Sequence, residues 1–357
     1  MIRSSTPINQ YLNNELPRFF QLQKRSLTLS RALRFNVIHP STPTSTTRLA
    51  SSFSSSTPFI LAIQKRSFTF SPQLYLQEPI FTEMSSKLIP SDPDHVMVIR
   101  NVTPNIATFS VPFSRFGKVK IGGRGTLVKL TSGGLAVFSP VALTKATQTK
   151  VIEMGGDVRY IVALDYEHHI FISEWAKEYP SAKIIGPEGL PEKRAKQTDD
   201  PKIGNEEFAV VFNKEAKRET RIDPEFDADF DYEYVDGHAN LEIVFCYKPE
   251  RVLIQADLLF NLPPTEQYSK VPEAELPDDG AVGKLFACVQ NPRGDTKWLQ
   301  RFNWYLLAKN RDSFNDSMAV IAQWDFATMI PCHGDVLEGD GKEVFMKVFD
   351  WHIQGSK

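Results

Sequence analysis

The chain has 357 residues, 41% hydrophobic and 24% charged, enough for one large domain or two small ones plus a tail. Its formal net charge of −2 hides an asymmetry: nine of the 41 Lys+Arg but only one of the 43 Asp+Glu precede residue 78, which leaves the remainder at net −10. An acidic body repels a phosphate backbone, so no nucleic acid is expected as a partner. Cys246, Cys288 and Cys332 are widely spaced with no CxxC pair, which excludes a disulfide framework and a thiolate zinc knuckle and leaves buried free thiols. No apolar run approaches the roughly 20 residues of a transmembrane segment.

Residues 1–85 read as a targeting segment and 86–357 as the folded domain. The head is rich in Ser, Thr, Arg and scattered Leu and Phe, nearly free of acids, and lacks one long apolar run. That is the composition of a mitochondrial transit peptide, not of a secretory signal, and it predicts a matrix protein. Tyr11–Gln23 and Lys24–Val37 can each form a short basic amphipathic helix. The Ser/Thr run Ser41–Thr57 has too little apolar surface to fold, and Gln64–Phe70 offers Arg66 before small and aromatic residues as a processing region. Met84 stands just before the folded region, and initiation there would give a cytosolic form.

From His95 the pattern changes. Val96–Arg100 and Ile106–Val111 are expected strands, and Gly122–Gly125 a turn. Thr126–Leu130 and Leu135–Phe138 form a hairpin through Gly133-Gly134. Thr144–Met154 is predicted helical and stops at Gly155-Gly156. Tyr160–Leu164 (YIVAL) is an apolar run of the kind buried on both faces. A helix over His168–Tyr179 and a strand at Ala182–Gly186 follow. The charged stretch Thr198–Asp231 reads as an insertion around Phe208–Phe212. Strands are predicted at Tyr232–Val235, Glu242–Tyr247 and Arg251–Ala256. Thr265–Gly283 is a Pro- and acid-rich loop, and helices at Trp298–Lys309 and Asp312–Gln323, a strand at Thr328–Pro331 and a helix at Gly341–His352 close the chain. One two-layered core with helices outside suits this order better than two domains.

The chemistry is concentrated at strand ends. Glu167, His168 and His169 follow YIVAL; His238 follows Tyr232–Val235; Asp257 ends RVLIQAD; His333 ends the stretch FATMIPCHGD. Carboxyl ends of strands converge where ligands bind in open αβ sheets. Neutral imidazole with carboxylate is the ligand set of Zn, Fe or Mn.

These pieces, in this order, resemble the metallo-β-lactamase superfamily over roughly Met97 to Lys357. GGLAVFSP resembles its early strands, VDGHANLEIVF its Gly-His segment, RVLIQADLLF the strand carrying its bridging Asp, and MIPCHGD its last His-Gly motif. The stretch YIVALDYEHHIFISEWAKEYPSAKIIGPEGL resembles an uncharacterised branch filed as a domain of unknown function. The resemblance implies an α/β (α+β sandwich) fold with four layers, αββα. Its first motif, His-x-His-x-Asp-His, places Ala163 and Asp165 where two leading histidines belong, and Ala163 cannot bind a metal. The implied ligands are therefore unequal. Glu167, His168, Asp257 and His333 make one retained site, while Asp165, His238 and the shared Asp257 remain of the other, with His169 as a substitute ligand or a partner behind the site. One ion of Zn, Fe or Mn is expected, or none.

A single metal with an open position activates water, and the first functional expectation is hydrolysis of an ester, thioester or related bond in a small-molecule substrate, with Asp257 holding the metal and Asp165 orienting the water as base. Two alternatives stand beside it: a non-catalytic binding or structural module left after ligand loss, and a mononuclear iron enzyme that oxidises sulfur substrates.

Overall fold

The computed structural model describes residues 92–355 apart from 116 and 199. The chain divides into two units, Met1–Ile80 and Phe81–Lys357, and every described residue lies in the second. The expected targeting segment, its two expected amphipathic stretches, the expected processing region and Met84 fall outside the described residues.

After a single helical turn, α1 (Pro93–Val96), the first half builds a seven-stranded sheet. Its strands are β1 (Val98–Thr103), β2 (Ile106–Val111), β5 (Gly123–Lys129), β6 (Leu135–Phe138), β7 (Val158–Val162), β8 (Lys183–Pro187) and β9 (Val210–Phe212), in that spatial order. The first four pair antiparallel and β6 to β9 pair parallel. A small hairpin, β3 (Ser114–Arg115) and β4 (Val119–Lys120), projects between β2 and β5. Helices α2 (Lys145–Met154), α3 (Ile172–Glu178) and α4 (Leu190–Lys196) make the crossovers that parallel strands require.

The second half builds a four-stranded sheet in the order β10 (Phe230–Val235), β11 (Glu242–Tyr247), β12 (Val252–Gln255), β13 (Thr328–Pro331). The turn helix α5 (Pro224–Asp229) precedes it. Between β12 and β13 come α6 (Gly280–Val289), α7 (Lys297–Phe302) with a π-helical turn over Asn303–Leu307, and α8 (Arg311–Ile321); α9 (Gly341–Val348) and α10 (Asp350–Ile353) close the chain.

The layering follows from period-two alternation on strands buried on both faces. On β11, Ile243, Phe245 and Tyr247 enter the apolar cluster between the sheets, while Val244 and Cys246 enter the cluster beneath Phe314, Met318 and Phe345 of α8 and α9. On β7, Tyr160 and Val162 face the second sheet, while Ile161 packs with Ile172 and Trp175 of α3. Helices, sheet, sheet, helices is thus the order of layers, as expected. Each fully buried side chain of this kind contributes about 1.5–3 kcal/mol.

Several expectations are corrected. The predicted turn at Gly122–Gly125 is confined to Gly122, at φ +71°, and β5 starts at Gly123. The helix expected from His168 begins at Ile172, because Asp165 takes up the Glu167 and His168 N–H groups in a side-chain-capped turn. The loop expected over Thr265–Gly283 runs into α6, which buries only Gly283 and Phe286, a stripe too narrow to register as periodicity. The insertion holds α5, capped by Asp223, and the closing helix breaks at Phe349. Cys246 and Cys332 are buried, but Cys288 is exposed on α6. Among the described residues no helix is long and apolar enough to cross a membrane.

Candidate metal centre

Strands β7, β10, β12 and β13 all end at one edge of the sandwich, and the residues that follow them converge there. The two sheets are tied at this edge by backbone: Ile243 N donates to Leu164 O at 2.6 Å and Tyr166 N to Asn240 O at 2.9 Å.

His333 follows β13. Its Nδ1 lies 2.7 Å from the Gly122 carbonyl, which can only accept, so the proton is on Nδ1 and Nε2 carries the lone pair. That Nε2 lies 3.1 Å from Asp257 Oδ1 and 3.1 Å from His168 Nε2. His168 is oriented in the same way, Nδ1 donating to Asp165 Oδ1 at 2.8 Å. Asp257 Oδ2 accepts from Asn240 Nδ2 at 2.6 Å, while its buried Oδ1 has no hydrogen-bond donor. Two imidazole nitrogens and one carboxylate oxygen therefore face one another across a small space, all within 4.8 Å. Donors about 2.1 Å from a tetrahedral zinc stand about 3.4 Å apart, so the set suits one ion.

The electrostatics agree with that geometry. Burial disfavours a charged His168, but Asp165 and Asp257 outweigh it and raise the ring to about 10. Burial likewise opposes the Asp257 carboxylate, yet His168 and His333 hold it well below the ordinary range. Three acceptors pointed at one another demand positive charge between them.

The remaining expected residues lie around this cluster, not in it. Asp165 Oδ1 accepts from His168 Nδ1 and from two backbone N–H groups, and its buried Oδ2 has no partner. It is the carboxylate behind a ligand histidine, an arrangement that fixes tautomer and ring orientation. Glu167 turns outward and pairs with Lys193 at 3.0 Å. His169 is buried against α4, where the Arg194 guanidinium donates to its carbonyl at 2.7 Å; burial, with Lys193 and Arg194, lowers its ring to about 3. His238 is buried with Nδ1 accepting the Asn240 N–H at 3.0 Å. Its proton therefore sits on Nε2, 3.7 Å from Glu242, and burial keeps the ring neutral. In that tautomer Nε2 has no lone pair for a metal. Ala163 is buried among apolar side chains, as its type requires.

Three supporting residues escape a sequence reading. Glu242, fully buried at the start of β11, accepts from Ala256 N at 2.7 Å and Asp257 N at 2.9 Å, and so sets the backbone that carries Asp257. Burial first, then Asp165 and Asp257, push its carboxyl well above the usual range. Asn240 orients the Asp257 side chain. Arg124, fully buried on β5, donates to Pro331 O, Gly334 O, Ser110 Oγ and Glu266, and fastens both sides of the His333 loop to the first sheet. A single Glu, Asn or Arg carries no spacing signal.

Two sheets back to back, helices outside each, and a His/Asp/His cluster at the strand ends make this a metallo-β-lactamase-like αββα protein. More particularly, the family described as Domain of unknown function (DUF4336) matches residues 112–267, a span that includes Asp165, His168, His238 and Asp257 and ends before His333. Similar solved structures include DIM-1 metallo-β-lactamase exposed to ceftazidime (12% identity, 71% of this chain and 96% of that chain, TM-score 0.44). Another is the metallo-β-lactamase FIM-1 from Pseudomonas aeruginosa in its mono-zinc form (12% identity, 72% and 96%, TM-score 0.44). A third is the metal-soaked Flv1 flavodiiron core from Synechocystis (12% identity, 72% and 60%, TM-score 0.49). No curated protein matches the chain.

Proposed function

We propose that the chain is a mononuclear metal-dependent hydrolase of small-molecule esters, thioesters or related bonds, with His168, Asp257 and His333 holding the ion and zinc the first candidate. The observation that carries this reading is the mutual approach of two imidazole nitrogens and one carboxylate oxygen at one buried point, each fixed from behind: His168 by Asp165, His333 by the Gly122 carbonyl, Asp257 by Asn240 and Glu242. A pre-oriented donor set lowers the cost of binding, and a carboxylate behind a ligand histidine fixes its tautomer and raises its basicity.

When bound, such an ion polarises a carbonyl and lowers the pKa of water. The protein's own part is positional. Asp165 keeps the His168 lone pair on Nε2, and the Gly122 carbonyl does the same for His333. Phe113 and Phe260 stand beside the His333 ring, with centroids 6.4 and 4.6 Å away, and shield that side of the cluster from water. Ligand supply from only one histidine of each sheet half, with Ala163 in the core and His238 in the wrong tautomer, favours one ion over two.

A second reading rests on the ligand count. Two histidines and one carboxylate also form the set that holds mononuclear non-haem iron. Elemental analysis of the purified protein decides both matters. About one equivalent of metal, lost in both His333→Ala and Asp257→Ala, supports the site, and its identity as zinc or iron selects between hydrolysis and oxidation. A folded protein that takes up no metal on reconstitution overturns both readings and leaves a binding module. We further propose a mitochondrial destination from the basic, acid-poor head of the sequence; imaging of a full-length fusion that stays in the cytosol would sink it.

A further inference from the structure

We propose that a cleft remote from the metal centre, at the start of β10, binds a small organic anion with a flat apolar ring, an arylcarboxylate in the simplest case. The cleft has a volume of about 300 Å³. It is lined by the first residues of β10, by the basic loop that carries Lys217, Arg218 and Arg221, and by Val320 and Trp324 at the end of α8. Both β10 and α8 separate it from the metal edge. β10 runs from the cleft toward His238, and α8 starts beside His238, where Asn310 N donates to the Gly237 carbonyl at 3.2 Å. The eleven residues of α8 then span roughly 16 Å to the cleft.

Two guanidinium groups are held in place there. Glu233, only 1% exposed, accepts from Arg218 Nε at 3.1 Å and from Nη2 at 2.9 Å, and Ser317 Oγ donates to the same carboxylate at 2.9 Å. A guanidinium gripped through Nε and Nη2 directs Nη1 away from the carboxylate that holds it. Arg221 donates through Nη1 to the carbonyls of Arg218 and Thr220, each at 2.9 Å, and among the described residues it pairs with no carboxylate. Its charge is positioned but not neutralised. Planar N–H groups set side by side in this way are the recognition chemistry of a carboxylate.

The acids that also line the cleft are each engaged by the protein. Glu233 is held by Arg218 and lies 3.5 Å from Lys217, which Asp236 shares at 2.6 Å. Asp227 accepts the Tyr232 hydroxyl at 2.8 Å, and Asp231 faces Lys248 at 3.6 Å. The carbonyl end of α8, which would repel an anion, is covered by Lys342, whose ammonium donates to Ala322 O and Trp324 O at 2.6 Å. The capacity left in the cleft is therefore that of the arginine donors. Beside them Trp324 and Val320, with Phe230 and Tyr232 of β10, supply the apolar lining. A few fixed polar groups within an apolar lining are what define a small-molecule site, and an indole offers a flat face to a ring.

Calorimetric titration of the full chain with cinnamate, its neutral counterpart cinnamamide, and acetate tests this. Cinnamate is expected to bind at least about tenfold tighter than either, since the amide lacks the charge and acetate lacks the ring. Arg221→Gln, at an exposed position, and Trp324→Leu, at a half-buried one, are each expected to cut that advantage below about threefold in protein whose circular dichroism is unchanged. The titrations are repeated after chelation, because a carboxylate can also reach a bound metal ion. An advantage that survives chelation supports the cleft. An advantage that chelation abolishes, or that both folded variants retain in full, overturns the proposal, as does equal affinity for cinnamate and cinnamamide.

Discussion

The Nε2 atoms of His168 and His333 face each other at 3.1 Å across 165 residues of sequence. Each ring is turned there by an acceptor on its far nitrogen, Asp165 for one and the Gly122 carbonyl for the other. Neither ring selects that orientation alone, and the pair is the product of two loops on two sheets.

Asp165 should therefore govern metal affinity without touching the metal. In Asp165→Asn the remaining oxygen can still accept the Glu167 and His168 N–H groups, but the charge behind His168 is gone. A loss of about 10–100-fold in metal affinity is expected. Competition against a chromophoric chelator measures it, and an unchanged affinity would show that His168 needs no orienting carboxylate.

Gly334, directly after His333, has φ +86°, and a Cβ there would lie 2.1 Å from the Asn261 carbonyl oxygen. That contact is to backbone, in the close pairing of residues 261 and 334, and cannot relax by a side-chain rotation. Gly334→Ala is expected to cost more than about 3 kcal/mol in urea unfolding. Gly339 has nearly the same φ, +84°, with nothing within 4 Å, so Gly339→Ala should cost only the conformational penalty of about 1–2 kcal/mol. Equal losses in the two variants would refute the steric account.

His352 gives a pH dependence remote from the metal centre. Its ring is buried between Trp304 and Phe314, Nδ1 donates to Asn315 Oδ1 at 2.7 Å, and burial, with Arg311 nearby, lowers it to about 4. The unfolded chain takes up a proton near pH 6.5 that the folded chain refuses until about pH 4. Stability should fall as pH drops through that window and level off below it, by up to about 3 kcal/mol from this residue. His352→Phe should flatten the decline, at a cost of about 1 kcal/mol near pH 7 for the lost hydrogen bond. Parallel urea titrations at pH 7 and 4.5 check this, and an identical decline in both proteins would contradict it. His169, lowered to about 3, contributes in the same direction.

Much of the fold was legible because its strands are buried on both faces or alternate strictly. YIVAL, EIVFCY and RVLIQ can be little else, and the order in which they occur permits few topologies. The ends of those strands offered Glu167, His168, His169, His238, Asp257 and His333 as candidates, since a polar residue that terminates an apolar strand must find a polar partner. What is local was also accessible at Thr144, whose side chain caps α2 as its type predicts.

Which of the candidate residues meet was decided only by tertiary structure. His168 and His169 are adjacent in sequence, yet one faces His333 and the other Arg194, because the capped turn at Asp165 sends successive side chains to opposite sides. His238 has the right element and the right strand end, but the Asn240 N–H claims its Nδ1 and with it the tautomer. Glu242, Asn240 and Arg124 frame the site through contacts 15, 17 and up to 210 residues apart. Periodicity records which face of an element is buried. It carries no record of which buried hydrogen-bonding group will lie opposite, and in this protein that pairing is what separates a ligand from its neighbour.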